Sequence, residues 1–275
     1  MKYQLFSALF TILLTAAAPA SVVITYAEAP KDFNSTLTGT QIFDFNNLAN
    51  GVNKNVVWAG VGTFDRLYIK SADVYGGAAD ALNPGGTKYS LQGAGVVVNQ
   101  STLTFDTASA YFGMWWSAGD AQNVLTFYLG DSIVSKFTTG SLLSMLPGEY
   151  DGNPRNKTLN AGEPYAFINF FGDASTSWDR VVLSNTAGSG FESDNYTSRV
   201  AAWDPLADGA LPGVVVAEVS GTTTKQMTNE SLAGTRWALG ANSAASVPGA
   251  PVPPWTLLLA FACVTVLRAR RARKE

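Results

Sequence analysis

NVLTFYLGDSIVSKFTT, residues 123–139, is the stretch on which the fold of this chain turns. Leu125, Phe127 and Leu129 alternate with Thr126 and Tyr128, the period of two that a strand shows when one face is turned to a core. Both halves are rich in β-branched and aromatic residues, which suit a pleated surface. Between them Gly130 and Asp131 offer a tight turn, because glycine reaches positive φ without a Cβ clash. The stretch therefore predicts a β-hairpin.

The same signal recurs outward in both directions. TQIFDFN (40–46), NVVWAGV (55–61), STLTFDT (101–107) and AYFGMWWSA (110–118) precede the hairpin, and YAFINFF (165–171), DRVVLSN (179–185) and GVVVAEV (213–219) follow it. Gly, Asn, Asp and Pro separate many of these runs, as strand punctuation requires. Only GSLLSML (140–146) has helical spacing, for about two turns. The expected body is all-β, a two-sheet β-sandwich of jelly-roll-like type spanning 21–239.

Composition narrows the function. The chain has 275 residues, no histidine and one cysteine, Cys263. Catalysis by histidine, Ser-His-Asp and Cys-His nucleophile systems, and the usual zinc sites are thereby excluded. A body without thiols cannot be stapled by disulfides, so a packed core must hold it. Residues 21–254 carry 12 basic and 20 acidic side chains, a net charge of −8 that repels nucleic acid.

The two ends read differently from the body. Residues 1–20 (MKYQLFSALFTILLTAAAPA) have the layout of a secretory signal peptide, with Ser21 as the mature start. Residues 240–254 (GANSAASVPGAPVPP) form a Pro/Ala/Gly linker, and 255–267 an uncharged run expected to be a short transmembrane helix. Thirteen helical residues cover ~20 Å against a hydrocarbon core of ~30 Å, so the flanks must snorkel or the bilayer thin. The 268–275 tail, with Arg268, Arg270, Arg271 and Arg273, is expected on the cytoplasmic face.

The sequence around Val247, Pro248, Pro251, Pro253 and Pro254, the apolar run and the arginine tail together resemble the PEP-CTERM sorting tag of bacterial exported proteins. Gly249, Ala250 and Val252 stand where the tag's glutamate is found, so the central Pro-Glu-Pro is absent. Blocks 24–46, 115–147 and 162–195 are also similar to one family of exported, exosortase-associated surface proteins. What this resemblance implies is an exosortase-type transpeptidase as partner and an envelope or extracellular destination. It implies no catalytic residue.

Three chemistries remain for the body. Glu163, Asp173, Asp179, Glu192 and Asp194 fall close together in sequence, with Asp120 behind the tryptophan pair, and paired carboxylates can cleave glycosidic bonds. Asp151 and Asn153 in DGNPRN, Asp173 in FGDAS and Asp194 in FESDN are oxygen ligands of the kind calcium takes. Trp115, Trp116 and Trp178 are candidates for stacking on sugar rings. Adjacent Trp115 and Trp116 must face opposite ways, which leaves one of them free to be exposed. The leading expectation is a non-enzymatic exported surface or extracellular-matrix protein with no required cofactor. The alternatives are a carbohydrate-binding module with structural calcium that holds extracellular polysaccharide, and a secreted glycoside hydrolase.

Overall fold

The computed structural model describes residues 20–237, apart from 28, 78–86, 186, 233, 234 and 236. The expected leader up to residue 19, the sorting motif, the apolar run 255–267 and the arginine tail lie outside the described residues. Among the described residues no helix is long and apolar enough to cross a membrane.

The body is all-β. Its strands are β1 (Val22–Tyr26), β2 (Gln41–Phe43), β3 (Gly51–Trp58), β4 (Gly62–Ser71), β5 (Lys88–Gly93), β6 (Gln100–Ser109) and β7 (Tyr111–Ser117). They continue with β8 (Val124–Leu129), β9 (Ser132–Thr138), β10 (Ala166–Gly172), β11 (Trp178–Ser184), β12 (Gly190–Arg199), β13 (Val214–Ser220) and β14 (Thr223–Gln226). One α-turn, α1 (Gly140–Leu143), follows β9. It is shorter than the sequence predicts. Thr139 at its N-cap makes no capping bond, because its hydroxyl donates to the Asp120 carbonyl at 2.6 Å instead.

All fourteen strands join one sheet, in the order β14-β13-β1-β10-β7-β12-β5-β4-β6-β11-β8-β9, with β2 beside β12 and β3 beside β4. Its two ends meet. Lys136 of β9 donates its N–H to Gly221 in the β13–β14 turn at 2.6 Å, and Gly221 donates back to Val134 at 2.9 Å. The two sheets expected from sequence are thus one antiparallel sheet curled into a near-barrel. Strands that change partner along their length carry the ladder around the bends: β12 pairs first with β5 and then with β2.

The predicted hairpin is β8–β9, with Gly130 at φ 57° in its turn. Leu125 and Phe127 are fully buried, while Leu129, the last residue before the turn, is 47% exposed; opposite Phe127/Tyr128 the register shifts by one extra residue in β9. Inside the curl the rings of Phe127, Trp178 and Phe170 pack 4.8–5.1 Å apart. Outside it a second layer covers one wall. Val23, Tyr111 and Phe171, on the outer faces of β1, β7 and β10, pack against Leu37, Trp203 and Leu211 from the loops. Strands β1, β7 and β10 are therefore buried at every position.

Candidate functional site

The outer face of β12 sets Glu192 within reach of the charges of Asp120, Glu163 and Lys70. Phe191 and Tyr196 of β12 face the inner core, as does Trp116 of β7. Glu192 sits opposite Ser117, so both face outward. Gly190, two residues earlier on the same face, must lack a Cβ: one there would collide with the Glu192 carboxylate. Glu192 is only 8% exposed. Burial, with the charges of Asp120 and Glu163, pushes its carboxyl up to about 8, while Lys70 pulls the other way.

Tyrosines surround this acid. Tyr89 of β5 donates to Asp73, which also takes Lys70 Nζ at 3.0 Å. Burial alone would raise Asp73, but these bonds and the Tyr75 backbone N–H outweigh it and hold the carboxyl below its usual value. Tyr165 donates to the Val74 carbonyl at 2.7 Å and accepts from Asn160. Burial, Glu163 and Glu192 push its hydroxyl up to about 12, against bonds from Asn160 and Asn153. Burial thus favours the protonated form of Glu192, while Asp73, held low by its bonds, favours the ionised form.

Only part of the carboxylate group singled out in sequence comes together. Glu163, Glu192 and Asp120 interact. Asp173 instead caps the turn after β10, accepting from the Ser175 N–H at 2.9 Å. Asp179 accepts from the Gly130 N–H at 2.8 Å. The four candidate calcium ligands are likewise dispersed. Asp151 and Asn153 share one loop, where Asn153 donates to Val74 and accepts from the Arg155 N–H. Asp194 lies inside β12, wholly buried, so FESDN is strand and not loop. Among the described residues no group of three or more acidic side chains is placed to hold a metal ion.

The tryptophans require a correction. Trp115 and Trp116 do face opposite ways, but both are 0% exposed, as is Trp178. Trp116 and Trp178 belong to the inner core. Trp115 points outward and is covered by Phe33 at 4.6 Å and by Tyr165, because the chain after β1 folds back over this wall. None presents a ring face to a sugar.

Among the described residues, two clefts open to solvent beside a strap, residues 32–41. The first, about 320 Å³, lies between Asp32–Thr38 and Ala207–Gly213, with Phe167 and Asn169 of β10 beneath. The second, about 440 Å³, lies between Thr38–Gln41 and Ser198–Ala201. Thr38 borders both. Arg199 pins the surrounding loops: its guanidinium donates to the Thr38, Ala201 and Ala202 carbonyls and, bidentately, to Asp208. The Arg199–Asp208 pair is largely buried at 2.7 Å. Hydrogen bonds from Arg199 hold the Asp208 carboxyl below its usual range against the burial that would raise it. Sequence patterns gave no sign of these clefts, because the strap has neither strand nor helix period.

Comparison with known proteins adds little. No family model and no curated protein matches the chain. A solved structure, a variant of the catalytic domain of a GH87 alpha-1,3-glucanase in complex with tetrasaccharides, is similar over 68% of this chain and 31% of that one. Its identity is 15% and its TM-score 0.28, too low to support an argument about fold or chemistry.

Proposed function

We propose that this chain is a non-enzymatic exported surface or extracellular-matrix protein, sorted and processed by an exosortase-type transpeptidase through its C-terminal segment. The observation that carries the reading is how Ser21 is held beside β1. Ser21, the mature start expected from sequence, is the residue just before β1. Its N–H donates to Thr176 Oγ1 at 3.3 Å and its hydroxyl to Glu218 at 2.7 Å. β1 lies between β13 and β10. A cut after Ala20 spares every described strand, whereas one a few residues later would remove a central strand of the sheet. The curled sheet, read as jelly-roll-like, then serves as a scaffold. Turn capping by Asp173 and Asp179 and the burial of Glu192 favour that role over hydrolysis.

Intact mass of the protein recovered from cells, with membrane and released fractions kept apart, tests this. The expected product starts at Ser21 and ends near the proline-rich spacer. A mass that retains Cys263 and the arginines would overturn the sorting step, and a start inside β1 would overturn the leader.

A further inference from the structure

We infer that the two clefts flanking the strap bind a neutral oligosaccharide, gripped through its hydroxyl groups and not by ring stacking. This deepens the exported-protein reading by giving the body a ligand.

The lining has the chemistry of a sugar's two kinds of surface. Polar groups come from the strap, namely Asp32, Asn34, Ser35, Thr36 and Thr38. The opposite rim is apolar and small, with Ala207, Ala210, Leu211 and Pro212, surface that suits sugar C–H groups. At the floor, Asn169 is held from both sides. Tyr111 donates its hydroxyl to the Asn169 amide oxygen at 2.7 Å, and the amide donates to Thr25 Oγ1 at 3.1 Å. Thr25 in turn donates to the Pro212 carbonyl at 2.6 Å. This chain of bonds fixes a buried amide under the cleft, and the amide carries two N–H groups, of which Thr25 takes one. Gly113 permits it: a Cβ there would strike the Tyr111 hydroxyl and the Phe167 ring.

Charge selects a neutral ligand. Among the described residues Arg199 is the only cation lining either cleft, and Asp208 and three carbonyls use its donors. Asp32 then leaves the site acidic, so phosphates and uronates meet repulsion with nothing to offset it. Size selects more than one unit. Either volume alone lies near the lower end of small-molecule sites, and Thr38 borders both, so a chain laid across the strap at that residue would reach the two clefts.

The test is titration of the full chain, in detergent, with linear neutral gluco-, manno- and galacto-oligosaccharides of increasing length and with oligogalacturonate. Variants Thr36→Trp and Ala210→Trp block the first cleft from opposite rims, at exposed positions where folding should survive. A neutral oligosaccharide should bind, more tightly with length, and each variant that keeps the wild-type unfolding midpoint should weaken it about tenfold or more, the worth of one or two hydrogen bonds. Three results would overturn the inference: no neutral oligosaccharide binds, binding survives both blocking variants, or oligogalacturonate binds better. The intact mass decides the sorting reading separately, so a correctly processed chain that binds no glycan would sink the cleft alone.

Discussion

Two walls of the same curled sheet obey different rules. Along β1, β10 and β7 every residue is buried, because the inner core takes one face and the loop layer takes the other. Along β6, β11, β8 and β9 burial alternates or breaks, and the outer face meets water. The double-sided wall is written in near-continuous apolar runs, VVITY, AFINFFG and YFGMWWS, and the single-sided wall in alternation such as STLTFDT. The difference teaches where a site can form: only where loops cover the sheet is there a second layer to leave clefts in.

The sharpest way to break this contrast is to truncate one outward residue on each wall. Trp115→Ala removes a fully buried ring from under Phe33 and Tyr165 and should cost about 3–5 kcal/mol in urea unfolding. Thr104→Ala, outward on β6 and exposed, should stay within about 0.5 kcal/mol. Equal costs would mean that the loop layer is not packed. Next in size is Arg199→Met. It strips the partner from Asp208 and unpins the strap, at a cost of about 3 kcal/mol. Hydrogen exchange should rise in 36–41 and 200–208 while β8 and β11 stay protected. If instead the whole sheet loosens together, the strap is part of the barrel and not a layer upon it.

Both walls were legible in part: on the double-sided one β7 and β10 came out within about a residue, and β4 and β5 were missed altogether. Alternation and a glycine turn gave β8, β9, β6 and β11 nearly to the residue. β1 and β12 were not recognised as strands, for opposite reasons. VVITY is short and closely follows the apolar N-terminal run of the sequence, which hides its edges. In β12, FESDNYTSR reads as a polar loop, yet its polar side chains are buried and bonded, Ser193 to the Tyr196 hydroxyl of the same strand at 2.7 Å and Ser198 to the Ser109 hydroxyl of β6 at 2.7 Å. The tryptophan platform failed for the same reason. Period two says which way Trp115 points, but nothing local says that distant loops return to cover it.

Glu192 gives a smaller effect that reports on that covering directly. Burial raises its carboxyl from 4.5 to about 8, so the folded chain keeps a proton that the unfolded chain releases. Its contribution is therefore whole below about pH 4.5 and is lost as pH rises toward 8, at no more than about 1.4 kcal/mol per pH unit. Asp208 and Asp73, both lowered, act in the other direction and only in the acid range. The chain has no histidine, and among the described side chains Glu192 is the one raised into the window from pH 5 to 8. Glu192→Gln should flatten the decline in urea midpoint across that window. A slope that persists in the variant would place the titration elsewhere.

The smallest effect isolates backbone from packing on the exposed wall. Gly130 turns the β8–β9 hairpin at φ 57°, and nothing lies within 4 Å of where a Cβ would stand. Gly130→Ala therefore meets no clash, and its whole cost is that of holding an L-residue in the left-handed region, about 1 kcal/mol. Gly130→Asn should cost less, since asparagine tolerates that conformation and suits the turn. The Ala–Asn gap in unfolding free energy is the quantity to read. Should both variants cost the same few tenths, the hairpin has relaxed to another turn, and the register shift opposite Phe127/Tyr128, one extra residue in β9, would be the place to find the compensating change.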